Sequence, residues 1–112
     1  MVSLDAVRKL ALSLPEAEQM PHFEKDSFRV KKKIFATLDS KNKRCVVKLS
    51  ALDQSTFCSY NEEIIYPIKG TWGKQGWTII ELKKVPKKLL VDILITSYCE
   101  VAPEKLSKLI RM

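Results

Sequence analysis

Two strand-forming runs in this sequence are separated by only two residues, and this short link constrains the fold more than any other feature. Residues 27–30 and 33–38 are rich in β-branched and aromatic side chains. A two-residue link joins neighbouring antiparallel strands, because a parallel pair needs a crossover of about a dozen residues or more. We therefore expect a hairpin in which Phe28 lies opposite Phe35.

The rest of the chain alternates between helical and strand-like patterns joined by short links. Helices are predicted to begin at Ser3, Ser50, Pro86 and Pro103, and further strands to cover residues 44–48, 64–66 and 77–82. Pro15 ends the first helix, and residues 20–23 are expected to be a connection into extended structure. Since no βαβ rhythm occurs, the fold class is predicted to be α+β. One domain over residues 1–112 would contain an antiparallel sheet of about four to six strands with helices packed on it.

Composition is typical of a cytoplasmic globular protein. Hydrophobic residues make up 46% of the 112 residues, no apolar run is long enough for a membrane helix, and the first residues lack the features of a signal peptide. The cysteines, Cys45, Cys58 and Cys99, are odd in number and form no Cys-x-x-Cys motif, so we expect buried or half-buried free thiols. A monomer is expected.

Positive charge is concentrated in two blocks of the chain. The net charge is +7, yet residues 25–48 carry nine basic and two acidic residues, and residues 69–88 carry six lysines and one glutamate. Clustered positive charge is typical of proteins that bind polyanions such as nucleic acids. Lysine-rich surfaces also serve solubility, so charge alone leaves both interpretations open.

No pattern of reactive side chains indicates an enzyme. The one histidine, His22, has no metal-binding partner at a suitable spacing. The adjacent Glu62 and Glu63 would point to opposite sides of a strand and form no acid–base pair. We therefore expect no catalytic residue, metal or cofactor.

All three glycines and both tryptophans lie within residues 69–77, KGTWGKQGW. The dinucleotide-binding and P-loop motifs do not fit, because the glycine spacing differs and the segment leads into a strand. In one interpretation the glycines form a structural corner and the tryptophans fold inward on a small core. In the other, Lys69 and Lys74 contact phosphate while an exposed Trp72 stacks on a base. Trp77 begins the next strand and is expected to lie in the core.

Three consecutive lysines, Lys31, Lys32 and Lys33, occupy the tip of the predicted hairpin. The favoured two-residue turn needs positive φ at both central positions, which costs a lysine about 1 kcal/mol per residue. A charged tip discourages aggregation through a sheet edge. It is equally suited to entering or straddling a nucleic-acid groove.

Four segments of the chain resemble the MmcQ/YjbR family: SLPEAE (13–18), PHFEKDSFRVKKKIFATL (21–38), GTWGKQGWTIIEL (70–82) and SYCEVAPEKL (97–106). The resemblance extends over nearly the entire chain. It implies an α+β fold similar to that of type III secretion chaperones, with a double-wing arrangement proposed to bind DNA. The first wing would be the 27–38 hairpin and the second the 67–77 loop with the strand after it. The family's usual hairpin tip contains glycine, whereas lysines stand here.

The leading hypothesis is a non-catalytic DNA-binding protein of weak sequence specificity. The candidate contact residues are basic or aromatic: Arg29, Lys31, Lys32, Lys33, Lys69, Trp72 and Lys74. A protein-interaction module is the first alternative, and it would show a contiguous apolar patch on the exposed sheet. The second is a small-molecule site beneath the 69–77 loop, which requires a closed pocket containing a titratable group of perturbed pKa.

Overall fold

The computed structural model describes residues 2–110, within which six strands form one antiparallel sheet and five helices accompany it. The elements follow in the order α1 (Leu4–Leu12), β1 (Glu18–His22), β2 (Lys25–Val30), β3 (Lys33–Asp39), β4 (Arg44–Lys48), α2 (Ala51–Cys58), β5 (Ile65–Pro67), α3 (Thr71–Lys74), β6 (Trp77–Glu81), α4 (Lys87–Val101) and α5 (Glu104–Ser107). The strand order across the sheet is β1-β2-β3-β4-β6-β5. The predicted α+β class is confirmed.

The helices begin where the capping residues predict. The Ser3 hydroxyl accepts a hydrogen bond from the Ala6 amide at 3.1 Å, and the Ser50 hydroxyl accepts one from the Asp53 amide at 3.1 Å. Each cap satisfies a backbone donor that the first helical turn leaves unpaired. Helices α4 and α5 follow Pro86 and Pro103 directly. None of the helices within residues 2–110 is long and apolar enough to cross a lipid bilayer.

Strand β1 was not predicted, since residues 20–23 were expected to be only a connection. It pairs with β2 from Glu18 opposite Arg29 to His22 opposite Lys25. Its residues are mostly exposed, so they show no alternation of apolar and polar side chains from which a strand is inferred. Pro21 is tolerated because β1 lies at the edge of the sheet.

The predicted pairing of Phe28 with Phe35 is wrong by one residue. Phe28 lies opposite Ala36, the next pair is Arg29 with Ile34, and Phe35 is the extra residue of a β-bulge. The bulge lets Phe35 and Ala36 both reach the interior, where each is fully buried. The Phe35 ring meets the Tyr98 ring of α4 edge to face, with centroids 5.5 Å apart.

The two faces of the sheet differ in what covers them. On the covered face, side chains of the central strands such as Leu38, Val47 and Ile80 are fully buried, and α4 packs there against β3 and β4. On the second face, which we call the open face, their alternate neighbours remain half-buried: Ile34, Thr37, Val46, Trp77 and Ile79. Cross-strand pairs run through it from Thr37 to Val46 and from Val46 to Ile79.

The strand register brings the β2–β3 turn and the segment before β6 to the same end of the sheet. Lys48, the last residue of β4, pairs with Trp77, the first residue of β6, while Val47 pairs with Ala36 near the start of β3. We call this the tip end: residues 31–33, Lys48 and residues 68–76. The opposite end contains residues 41–43 and 83–88.

Candidate nucleic-acid interface

The lysine tip forms the tight turn that the hairpin length predicts. Lys31 and Lys32 have φ angles of 50° and 67°, in the left-handed region that both central residues of such a turn require. Lys31 Nζ forms an ion pair with Glu16 Oε1 at 2.7 Å. Lys32 and Lys33 are exposed and, among residues 2–110, take part in no salt bridge. The tip therefore presents two unneutralised ammonium groups to solvent.

The glycine stretch is a structural corner built on close backbone approach. A Cβ at Gly73 would lie 1.8 Å from the Ile68 carbonyl oxygen, and one at Gly76 would lie 1.8 Å from the Leu49 carbonyl oxygen. Gly76 also has a φ of +105°. Between these contacts the chain makes the four-residue helix α3, where only a loop was expected. The glycines thus fix residues 70–76 against the residues that directly follow β4 and β5, Leu49 and Ile68.

The two tryptophans both lie on the open side of the sheet. Trp72 is 62% exposed, which contradicts the interpretation in which both tryptophans fold inward on the core. Trp77 is half-buried on the open face, so its predicted core position is also wrong. The cause is register: Thr78, not Trp77, faces the covered side, and its hydroxyl donates to the Gly76 carbonyl at 3.0 Å. Lys48 Nζ lies 5.9 Å from the centroid of the Trp77 ring.

An apolar groove of about 790 Å³ lies on the open face between two projecting segments. Ile34, Thr37 and Val46 form its floor, and these residues belong to neighbouring strands. The β1–β2 turn, residues 22–25, lines one side, and Ile68 with the two tryptophans lines the other. The groove is open to solvent, unlike the closed pocket that a small-molecule site beneath the loop requires.

Phe23 is the groove residue that sequence reasoning missed most clearly. It is 93% exposed and has a φ of 58°, an uncommon conformation for a bulky side chain. Its ring contacts the His22 ring edge to face, with centroids 4.8 Å apart. The signal was present as a lone aromatic residue among charged residues at positions 22–26. It would have been informative only if β1, and hence the turn, had been recognised.

The remaining predicted site residues are divided between the groove rim and the sheet. Lys69 and Lys74 are exposed on the segment that contains Trp72. Arg29 is half-buried in β2, where its Nε donates to the Ser27 hydroxyl at 3.0 Å. Lys48 was not among the predicted contact residues. Its side chain extends to the 68–76 segment, where Nζ donates a hydrogen bond to the Gln75 carbonyl oxygen.

The two basic blocks of the sequence do not correspond to the two basic regions of the folded protein. Each block contributes lysines to both ends of the sheet, because each contains a strand that runs from one end to the other. At the opposite end, the Leu82 amide donates to the Lys43 carbonyl at 3.1 Å, and Arg44 Nε pairs with Glu81 Oε2 at 3.0 Å. The exposed lysines there are Lys41, Lys43, Lys83, Lys84, Lys87 and Lys88. The tip end is thus one of two basic regions. Its 68–76 segment lines one side of the groove, and the β1–β2 turn, which leaves the sheet at the opposite end, lines the other.

The cysteines are free thiols, and burial lowers the reactivity of two of them. Cys45 is fully buried, and burial raises the pKa of its thiol to about 12, far above neutral pH. Burial also raises the pKa of the half-buried Cys58 thiol, with a smaller contribution from the Glu62 carboxylate. Cys99 is half-buried. Within residues 2–110, no group of three or more histidine, cysteine, aspartate or glutamate side chains is placed to hold a metal ion.

Comparison with known proteins supports the resemblance and the fold. The YjbR family model matches residues 12–100. The crystal structure of the Deinococcus radiodurans protein DR2400, with a DUF419 domain, superposes with a TM-score of 0.81 at 23% identity, covering 99% of this chain and 86% of that one. At this identity the structural match shows the shared fold alone. A search of curated proteins gave no significant match.

The family match covers far more than half of the sequence and includes both the lysine tip and the glycine stretch. The chain therefore belongs to the YjbR family.

Proposed function

We propose that this protein binds nucleic acid, DNA in preference to RNA, at the tip end of its sheet without catalysing a reaction on it. The observation that carries the proposal is that the lysine tip and the 68–76 segment leave the sheet at the same end. Lys32, Lys33, Lys69 and Lys74 are exposed there, and the exposed Trp72 lies on the same segment as Lys69 and Lys74. Residues that are forty positions apart in the chain thus form one candidate surface.

The chemistry of this surface favours contacts with phosphate groups over recognition of sequence. Lysine ammonium groups bind phosphates as point charges, and such contacts give affinity and salt dependence but carry no sequence information. The four-residue α3 is the only helix that the 68–76 segment provides, too short to read base edges in a major groove. We therefore expect weak sequence specificity.

Duplex binding at two salt concentrations tests the proposal. A labelled DNA duplex should bind in roughly the micromolar range at low salt, and the affinity should fall steeply as salt is raised, because lysines release condensed counterions from the duplex. Fluorescence anisotropy gives both affinities. Absence of binding to any oligonucleotide at low salt would overturn the proposal.

A matched pair of variants shows whether DNA binds to a defined surface or is attracted by the net charge of the whole protein. Lys32→Gln with Lys33→Gln removes two charges at the tip end, and Lys87→Gln with Lys88→Gln removes two at the opposite end. All four lysines are exposed, so neither change removes core packing. The tip variant should weaken DNA binding about tenfold or more, and the opposite-end variant should weaken it less. Equal losses would mean that binding follows net charge alone.

A protein-interaction module is a second candidate function, and one observation favours it. The open face presents a contiguous apolar groove, the feature expected for such a module. An amphipathic segment of a partner protein would bury its apolar side chains against Ile34 and Val46. Binding of this kind would weaken little with salt and would tolerate the Lys32 and Lys33 substitutions. The same variants and salt titration therefore distinguish the two candidates.

A further inference from the structure

We propose that the groove on the open face binds unpaired nucleobases, so that the ligand of this protein is a single-stranded nucleic acid. This inference rests on the proposed function and narrows its substrate class. Three aromatic rings line the groove, contributed by Phe23, Trp72 and Trp77. They lie on segments that are far apart in the sequence, and the fold brings them to one place.

The exposure of these rings points to a ligand that stacks. Phe23 is 93% exposed and Trp72 62% exposed, although aromatic side chains contribute most to stability when they are buried. Phe23 is also held at a φ of 58° as the first residue of the two-residue turn between β1 and β2, which fixes the direction in which the ring projects. A turn that keeps a strained, exposed aromatic residue above an apolar floor is suited to receive a flat partner.

The architecture matches a general way of binding single strands. Antiparallel sheets with an uncovered face bind single-stranded RNA by stacking bases on aromatic side chains of that face. Here the floor residues Ile34, Thr37 and Val46 come from β3 and β4 in the centre of the sheet. The groove volume of about 790 Å³ lies in the range of clefts that enclose organic ligands.

The charges around the groove favour an oligonucleotide over an apolar peptide. Glu24 and Lys25, of opposite charge, line one side of the groove, and on the other side Lys69 and Lys74 are exposed on the segment that contains Trp72. Lys48 Nζ lies 5.9 Å from the Trp77 ring centroid, so a positive charge sits beside the ring on the tip side. A single-stranded oligonucleotide fits both the apolar groove and the lysines near it, because its flat bases can enter the groove while its phosphates follow the rim. A duplex leaves the rings without partners, because its bases are already paired and stacked.

Intrinsic fluorescence reports directly on the groove, because both tryptophans of the chain line it. The probes are an oligothymidylate, an oligouridylate of equal length, a DNA duplex of that length and an acidic amphipathic peptide. We expect the single strands to quench the fluorescence and to bind about tenfold more tightly than the duplex. Comparison of oligothymidylate with oligouridylate shows which sugar the site prefers.

Variants locate the stacking. Phe23→Ala should weaken single-strand binding about tenfold and leave duplex binding unchanged, as should Trp72→Ala, with Trp77 remaining as the reporter. Leu109→Ala is the matched control, because Leu109 is 63% exposed and does not line the groove. It should change neither affinity.

The outcomes distinguish this inference from the proposed function. If duplex and single strands bind equally and Phe23→Ala changes neither, the groove is not a base site, although nucleic-acid binding at the tip end still stands. If neither nucleic acid binds at low salt, both proposals are wrong. Quenching by the acidic peptide alone would overturn both in favour of the protein-interaction module.

Discussion

The covered and open faces of the sheet are made from the same strands, yet they use apolar residues for different purposes. In β4, Cys45 and Val47 face α4 and are fully buried, while Val46 between them is half-buried on the floor of the groove. The covered face excludes water and stabilises the fold. The open face keeps an apolar surface accessible, as binding surfaces do. Alternation along one strand thus places the core on one face and an accessible apolar surface on the other.

The largest difference in the free energy of unfolding is expected between removal of a phenylalanine on the covered side and removal of one on the open side. Phe35→Ala should lower the free energy of unfolding by about 3–5 kcal/mol, because it opens a cavity beneath Tyr98 in a fully buried site. Phe23→Ala should change it by less than about 0.5 kcal/mol, since Phe23 is 93% exposed. Urea denaturation measures both. Comparable losses would mean that the open side contributes to the core.

A smaller loss of stability is expected when a closely packed glycine of the 69–77 stretch is replaced, compared with an exposed one. Gly76→Ala should cost about 2–3 kcal/mol, because a Cβ would collide with the Leu49 carbonyl oxygen at a φ of +105°. At Gly70, φ is +84° and no atom lies within 4 Å of the added Cβ. Gly70→Ala should therefore cost only about 1 kcal/mol. Thermal or urea unfolding of the pair checks the difference, and a larger loss at Gly70 would contradict the described corner.

The smallest expected effect is a loss of stability at alkaline pH caused by the buried Cys45 on the covered side of β4. Burial raises the pKa of Cys45 to about 12 from a usual value of 9.0, so between these values the folded protein retains a proton that the unfolded chain releases. Stability should therefore fall as the pH rises above about 9, by on the order of 1 kcal/mol per pH unit from this thiol. Cys45→Ala should flatten that dependence in urea titrations. An unchanged slope would show that the buried thiol does not contribute.

Local signals in the sequence predicted most of the scaffold. Capping serines, helix-starting prolines and the two-residue hairpin link act within a few residues. The starts of α1, α2, α4 and α5 and the strands β2 to β4 were therefore predicted correctly, whereas α3 was not. Strand β1 was missed because an exposed edge strand needs no apolar alternation. The bulge at Phe35 was missed because the site for its ring is formed by α4, sixty residues later in the chain.

The candidate interface was less predictable because it depends on register. Lys32, Lys33, Lys69 and Lys74 were identified from charge, but only the strand pairing shows that they share one end. Trp77 was assigned to the core because its size favours burial, and the face it occupies follows from its pairing with Lys48. The positions of the basic residues in the sequence likewise did not show that the lysines before and after β4 and β6 lie at different ends of the sheet.

Mapping of backbone amide shifts by NMR during titration with DNA identifies the surface that binds. We expect the largest shifts at the tip end, in residues 31–33 and 68–76, and further shifts in the β1–β2 turn when the DNA is single-stranded. Shifts concentrated in residues 41–43 and 83–88, which form an equally basic surface but contribute no residue to the groove, would contradict this expectation.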